Sequence, residues 1–239
     1  MNDGALAGRT VCVVGGTSGI GWAIAARAQR AGARVVITGR DGERAQRIAS
    51  DIDATHVRGM ALDVLDPAAI VAFFAAIGPV DHLVTTAAQV RGGAFRTGAL
   101  DDARGSFEGK FWSQFLCARQ ATVRSSILLC SGTLSRRAWP GTAALAAVNG
   151  AVEALGRALA VELAPVRVNV LSPGLVQGTA AYDAMPATSR DAMFEAAARR
   201  LPAGHVGIAA SLAIPALSLM ESDYATGVVL DIDGGGLLA

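Results

Sequence analysis

Three glycines and a lone lysine are the residues in this chain most open to a chemical reading. Between the apolar run Thr10-Val-Cys-Val-Val14 and the apolar-periodic stretch from Trp22 to Ala31 the sequence reads Val14-Gly-Gly-Thr-Ser-Gly-Ile-Gly21. That order is a strand, a tight turn and a helix start. Gly15, Gly19 and Gly21 permit positive φ and let a pyrophosphate come close to the backbone, while Thr17, Ser18 and Ile20 supply the rest of the turn and the first N–H groups of the helix. A dinucleotide site is the expected chemistry.

The cofactor reading extends to the end of the second strand-like run, where Gly39-Arg40 stands nineteen residues past Gly21. A carboxylate at this point would accept the hydrogen bonds of an NAD ribose. An arginine instead suits a 2′-phosphate, which it can bind bidentately. NADP(H) is therefore the expected cofactor, with Arg40 as its reader and Arg44, one helical turn on, as a second phosphate ligand.

Lys110 stands out by composition. The chain has 21 Lys and Arg residues, of which Lys110 is the single lysine. A generic surface cation in such a chain would be arginine, so an amine at one position suggests a use for an amine. The competing reading puts Lys110 on the exposed or subunit-facing side of its helix, with Ser113 and Gln114. Other polar candidates near the expected pocket are Ser131, Thr133, Ser135, Thr142 and Tyr182, each of which could equally bond local backbone as a turn or cap. His82 lies at the start of a strand and reads as structural.

These residues need elements to hold them. Strand-like runs fall at 10–14, 34–38, 57–62, 80–86, 126–130, 166–171 and 227–232. Helical patterns separate them at 23–31, 43–52, 67–76, 107–123, 143–164 and 205–220. Such alternation predicts an α/β fold: one doubly wound, Rossmann-type domain over 1–239 with a parallel sheet of about seven strands and its cleft at the strands' carboxyl ends. From 175 to 201 the pattern weakens, and a substrate loop with short helices is expected there. Tyr182, Met185, Met193 and Phe194 in that segment suit an apolar or aromatic small molecule.

Composition narrows the function classes. A formal charge of +1 gives no general pull toward nucleic acid or an anionic membrane surface, so neither is an expected partner. Cys12, Cys117 and Cys130 are odd in number, sit in apolar segments and lack metal-ligand spacing, so no metal site is expected and the thiols fit a reduced, cytoplasmic setting. The start Met1-Asn-Asp-Gly-Ala5 has no signal-like core, and the uncharged stretch His205–Met220, broken by Pro215, falls short of a membrane span.

Taken along the whole chain, the motifs resemble those of the short-chain dehydrogenase/reductase family. The glycine turn is similar to that family's Thr-Gly-x-x-x-Gly-x-Gly, with Val14 in place of the threonine. Asp63-Val64 resembles its adenine-holding pair, Arg167-Val-Asn-Val-Leu-Ser-Pro-Gly174 its sixth strand, and Thr226-Gly-Val-Val-Leu-Asp-Ile-Asp-Gly-Gly235 its last strand and tail. Thr85-Thr86-Ala87-Ala88 departs at three of four positions from the usual Asn-Asn-Ala-Gly. The resemblance implies that Ala87 and the segment Pro173, Gly174, Val176 line the cofactor.

The resemblance also implies a catalytic set that this chain does not carry in its usual form. Aligning Ala144–Leu155 on the family's Tyr-x-x-x-Lys helix puts Leu145 at the tyrosine and Asn149 at the lysine. Gly132 falls at the serine, with Ser131 one residue away, and Lys110 at the asparagine of the preceding helix. No shift restores the tyrosine, because the only tyrosines are Tyr182 and Tyr224. Lysine and asparagine look exchanged between the two helices. Lys110, Ser131 and Asn149 are accordingly the expected catalytic residues, with Asn149 also at the cofactor.

The implied activity is an atypical NADP(H)-dependent oxidoreductase acting on a small carbonyl or alcohol with an altered proton donor. Two alternatives stand beside it: an NADP(H)-binding protein without redox turnover, such as a sensor or a non-catalytic subunit, and a lyase or isomerase using Lys110. The stretch Ala138–Val152 has no charged side chain, so part of its helix should be covered, and family resemblance implies a homodimer or homotetramer.

Overall fold

In the computed structural model, residues 4–179, 182, 183 and 185–239 are described. Residues 1–3, 180, 181 and 184 lie outside them, and with them the start of the chain and part of the expected substrate loop.

Nineteen residues into the chain the first βα unit is already complete up to the helix start: β1 (Thr10–Val14) feeds the glycine turn and α1 (Gly19–Arg30). Then follow β2 (Arg34–Gly39), α2 (Gly42–Asp53), β3 (Val57–Ala61), α3 (Pro67–Ile77) and β4 (Val80–Thr85). Asp41 and Asp66 start α2 and α3 as N-caps, accepting from the Arg44 and Ala68 amides at 3.0 and 2.8 Å. A long helix comes next in three pieces: α4 (Leu100–Ser106), a π-helical turn (Phe107–Trp112) and α5 (Ser113–Gln120). The rest is β5 (Val123–Cys130), a 3₁₀ turn (Thr133–Ser135), α6 (Ala143–Glu162), β6 (Arg167–Pro173), β7 (Val176–Gln177), α7 (Ala187–Ala198), β8 (Gly207–Ile208), α8 (Ala209–Glu221) and β9 (Val229–Ile232).

The seven long strands form one parallel sheet in the order β3-β2-β1-β4-β5-β6-β9. The order reverses between β1 and β4, the switch point beyond whose strand ends open sheets of this kind bind their ligands. Strand side chains alternate between two cores. Val11 and Val13 face Ile24, Ala28, Leu212 and Ala216 on one side. Cys12 and Val14 face Ile70, Phe74, Cys117 and Val152 on the other. The expected doubly wound sheet of seven parallel strands is what forms.

Three boundaries differ from the sequence reading. The helix expected over 107–123 begins at Leu100 and stops at Gln120, because Ala121 turns extended and Val123 opens β5. His205–Ile208 is not helical: Gly207 and Ile208 pair with Val176 and Gln177 in a two-stranded parallel ribbon before α8 begins. The expected loop from 175 to 201 contains β7 and the twelve-residue α7. Only Phe194 of α7 is buried, so the helix carries no apolar stripe for periodicity to detect.

His82, on β4, is buried, and its Nδ1 lies 2.8 Å from Ser126 Oγ on β5. Burial pushes its pKa down to about 4, with the adjacent Asp81 carboxylate opposing the shift. An unfolded histidine near 6.5 binds a proton that the folded one refuses, so stability is full above pH 6.5 and falls as pH drops toward 4. Unfolding by urea should show a loss of about 2 kcal/mol between pH 7 and pH 5. His82→Asn should remove most of that loss; an unchanged pH slope in the variant would refute the assignment.

Candidate active site

Gly15 and Gly21 leave no room for a side chain in the turn. Gly15 has φ +88°, and a Cβ on it would stand 2.5 Å from the Ala87 nitrogen, while one on Gly21 would stand 2.2 Å from the Gly15 oxygen. Ser18 is the N-cap of α1, but its side chain makes no capping bond. Among the described residues no side chain accepts from the first amides of α1, as a phosphate cradle requires. Gly39 would collide with Thr17 if it carried a Cβ, at 2.8 Å, which fixes the end of β2 against the turn.

Where the sequence departs from the family's Asn-Asn-Ala-Gly, hydroxyls tie the strand ends together. Thr86 Oγ1 donates to the Val14 and Gly15 carbonyls, both at 3.2 Å. Thr85 Oγ1 donates to Gln114 Oε1 at 2.8 Å. Gln114 in turn accepts from the Cys130 amide at 2.8 Å and donates to its carbonyl at 2.9 Å. One buried amide thus joins β4, β5 and the helix that carries Lys110.

Arg40 is exposed at the end of β2, and among the described residues its side chain takes part in none of the fold's hydrogen bonds or ion pairs. Asp63 is exposed and accepts from the Leu65 amide at 3.0 Å, with Val64 buried beside it. Gly174 packs so tightly on Asp233 that a Cβ would approach to 2.6 Å. Val176 is buried in the short ribbon. All of these sit at the carboxyl ends of the strands or in the turns that follow them.

Lys110 lies in the π-helical turn, a rare backbone form that recurs at functional sites. Gly109 makes the position attainable: its amide neighbour Gln89 bonds to it at 3.1 Å, and a Cβ there would meet the Gln89 oxygen at 2.4 Å. From this close approach the half-buried Lys110 side chain crosses to β5, and its Nζ donates to the Ser131 carbonyl at 2.7 Å. Burial pulls the Lys110 pKa below the ordinary lysine range, with Cys130 and Glu153 acting in the opposite direction. Asn149, on α6, is 4% exposed, and its Nδ2 stands 3.0 Å from where a Cβ on Gly132 would be. No hydrogen bond of the described fold uses the Asn149 amide. The structure therefore brings Lys110, Ser131 and Asn149 to one strand end, and Leu145, half-buried, lies one helical turn before Asn149.

Glu153 is the residue that sequence reasoning missed. It is 6% exposed, and its Oε1 accepts from Ser131 Oγ at 3.2 Å, from Ser135 Oγ at 2.6 Å and from Arg136 at 3.4 Å. Arg136 also donates to Ser172 at 2.9 Å and binds both oxygens of Asp231, which pins the 3₁₀ turn to β6 and β9. A signal for Glu153 existed: it is the first charged residue after fifteen uncharged ones from Ala138, on the same helix face as Asn149, four residues back. Thr133 and Thr142 take up the turn and cap positions expected as their alternative, Thr142 bonding the Trp139 carbonyl at 2.7 Å. Tyr182 packs edge-on against Phe194 with centroids 5.3 Å apart.

The profile of the family described as enoyl-(acyl carrier protein) reductase matches residues 14–236. The chain is 32% identical over 258 residues to a short-chain dehydrogenase/reductase, ucsE, of an Acremonium species, covering 97% of this chain and 96% of that one. It is also 32% identical over 238 residues to a protein of Xanthobacter autotrophicus named inactive 2-(S)-hydroxypropyl-CoM dehydrogenase 2, covering 89% of this chain and 98% of that one. Among solved structures, a small-chain dehydrogenase in complex with NADPH superposes with a TM-score of 0.81 at 35% identity, covering 97% of this chain and 99% of that one. Fold, motif order and these likenesses agree, and the chain belongs to the short-chain dehydrogenase/reductase family of oxidoreductases.

Proposed function

We propose that this protein is an NADP(H)-dependent oxidoreductase for a small carbonyl or alcohol, in which Lys110 takes the proton-transfer role that a tyrosine usually fills in this family. The observation that carries the reading is the Lys110 amine on the Ser131 carbonyl, at the same strand end as Asn149, whose side-chain amide takes part in no hydrogen bond among the described residues. The nicotinamide would supply or accept the hydride. Gly15, Thr17, Ser18, Gly19, Ile20 and Gly21 would cradle the pyrophosphate, and Arg40 would bind the 2′-phosphate. Asp63 and Val64 would hold the adenine side, with Ala87, Asn149, Pro173, Gly174 and Val176 along the remainder.

The chain's own groups divide the work as follows. Ser131 fixes Lys110 through its carbonyl and is itself held through Oγ by Glu153. Burial lowers the cost of releasing a proton from Lys110 to a substrate oxygen, since the charged amine is the form that a dry site disfavours. Asn149 can hydrogen-bond a ribose hydroxyl or the substrate carbonyl without breaking any bond of the fold. The test is a calorimetric titration of NADPH beside NADPH oxidation over a panel of aldehydes, ketones, quinones and imines. Binding with turnover of at least one carbonyl supports the reading. Binding without any turnover supports a second one, a cofactor-binding protein without redox activity, which the likeness to a relative named inactive favours.

The outer faces of α5 and α6 suggest self-association. Phe115, Ala118, Leu155, Leu159 and Leu163 line a mainly apolar groove between them, with Arg119 and Glu162 also lining it, and Val161 is 81% exposed. An apolar helix face of this kind is normally covered. α6 also has the length and mean hydropathy of a membrane span, yet it packs on β6 and the 3₁₀ turn within the sheet's helical layer. A homodimer or homotetramer through these helices is the reading, and light scattering should return at least twice the 24.3 kDa chain mass. A monomer at micromolar concentration would refute it.

A further inference from the structure

Two guanidinium groups contact one indole just beyond the 3₁₀ turn that follows β5. The Arg137 Cζ stands 5.3 Å, and the Arg200 Cζ 6.0 Å, from the Trp139 ring centroid. They come from distant parts of the chain. Arg137 and Trp139 follow the 3₁₀ turn that begins behind Ser131, and Arg200 follows the end of α7. The C-terminal turn closes the third side, where Arg137 Nη1 donates to the Gly236 carbonyl and Leu201 packs 3.2 Å from the Cβ position of Gly236.

The charge pattern around this cluster is uneven. Arg136 is neutralised by Glu153 and Asp231, and Arg199 by Glu195. Arg137 and Arg200 pair with no carboxylate among the described residues. The Arg200 side chain makes no hydrogen bond there either, and Trp139 is half exposed. Each guanidinium thus stays within cation–π reach of one half-exposed ring with no carboxylate partner among the described residues. A ligand anion would supply that partner, and guanidinium forks favour a carboxylate or phosphate. The location ties the cluster to the reacting site. Ser135, two residues before Arg137, shares the Glu153 carboxylate with Ser131.

We infer that Arg137, Trp139 and Arg200 form a substrate-recognition subsite for an anionic group, a carboxylate or phosphate, carried on an apolar or planar small molecule. The inference rests on reading the cleft as a substrate site, but not on turnover. Arg200 and Arg137 bind the anion while Trp139 supplies the apolar wall. Substrates with an anionic end are thereby selected over neutral ones of the same size, and the selection weakens with salt.

Calorimetric titration of the NADPH-loaded full chain with benzoate, phenyl phosphate, benzamide and benzyl alcohol tests this. Saturable binding of benzoate or phenyl phosphate at least tenfold tighter than of the neutral pair is expected, and the stronger of the two anions identifies the group preferred. Arg200→Ala and Arg137→Gln should each weaken the anion at least tenfold, with Arg137→Lys retaining part of the affinity. Among the described residues the Arg200 side chain makes no hydrogen bond or ion pair, so an unchanged melting temperature in Arg200→Ala separates lost recognition from lost structure. Anions binding no better than neutral probes, no saturable binding at all, or full affinity in both variants would overturn the inference. If benzoate binds through Arg200 while no carbonyl is turned over, the subsite stands and the redox reading fails. If neutral carbonyls turn over and Arg200→Ala changes nothing for charged ones, the outcome is reversed.

Discussion

Lys110→Met should lower carbonyl reduction by about 10²- to 10⁴-fold while leaving NADPH affinity within a small factor of the parent. The methionine side chain can fill much of the volume of the lysine stem, and no charge is stranded, because the Lys110 amine donates to a backbone carbonyl rather than to a carboxylate. The Ser131 carbonyl loses a donor, a modest cost to folding. The pH profile separates proton transfer from simple support of the site. In reduction the protonated amine is the acid, so activity is lost as pH rises through its pKa. Since burial holds that pKa below the ordinary lysine range, the alkaline limb should begin correspondingly early and vanish in Lys110→Met. Unaltered kcat in the variant would remove Lys110 from the chemistry.

Arg40 carries the second large effect. Its guanidinium is exposed beside the glycine turn, and no bond of the described fold holds it. A 2′-phosphate would give it a charge-assisted hydrogen bond worth about 1.5–3 kcal/mol. Arg40→Ala should therefore weaken NADPH by roughly ten- to a hundredfold and leave NADH nearly unchanged, since about 1.4 kcal/mol is a factor of ten. Arg40→Asp should reverse the preference, adding repulsion toward the phosphate and an acceptor for ribose hydroxyls. Calorimetry of both cofactors against parent and variants decides the matter. Equal losses for the two cofactors, or none, would mean that Arg40 does not read the phosphate.

The sheet was legible because its inner strands carry short, largely apolar runs, which is how a parallel strand buried on both faces reads. Thr10–Val14, bounded by the glycine turn, shows it well, while the helix Pro67–Ile77 is marked by Asp66-Pro67, a cap followed by a residue suited to the first helical position. α7 was not legible as one helix, because a surface helix with a single buried residue leaves no period in the sequence. At the candidate site, the convergence of Lys110, Ser131 and Asn149 followed from motif spacing. Glu153 did not, although its position after a long uncharged stretch marks it. The reason is that its partners Ser131, Ser135 and Arg136 lie in the connection after β5, outside its own helix, and Arg136 is held in turn by Asp231 on β9, far along the chain. Only the topology brings those together.

The π-helical turn around Lys110 carries a consequence for how this chain can change. Such a turn winds more residues into each turn than an α-helix does, and it shifts α4 against α5 in phase. Deleting one residue between Lys110 and Ser113 would let the backbone close into ordinary α-helix, a form with better hydrogen bonds. It would also rotate Lys110 by about 100° relative to α5, one residue's share of a helical turn, and carry its amine off the Ser131 carbonyl. A chain mended in this way would gain regularity and lose the one amine it places in its cleft, so at this point thermodynamic economy and the site oppose each other by a single residue.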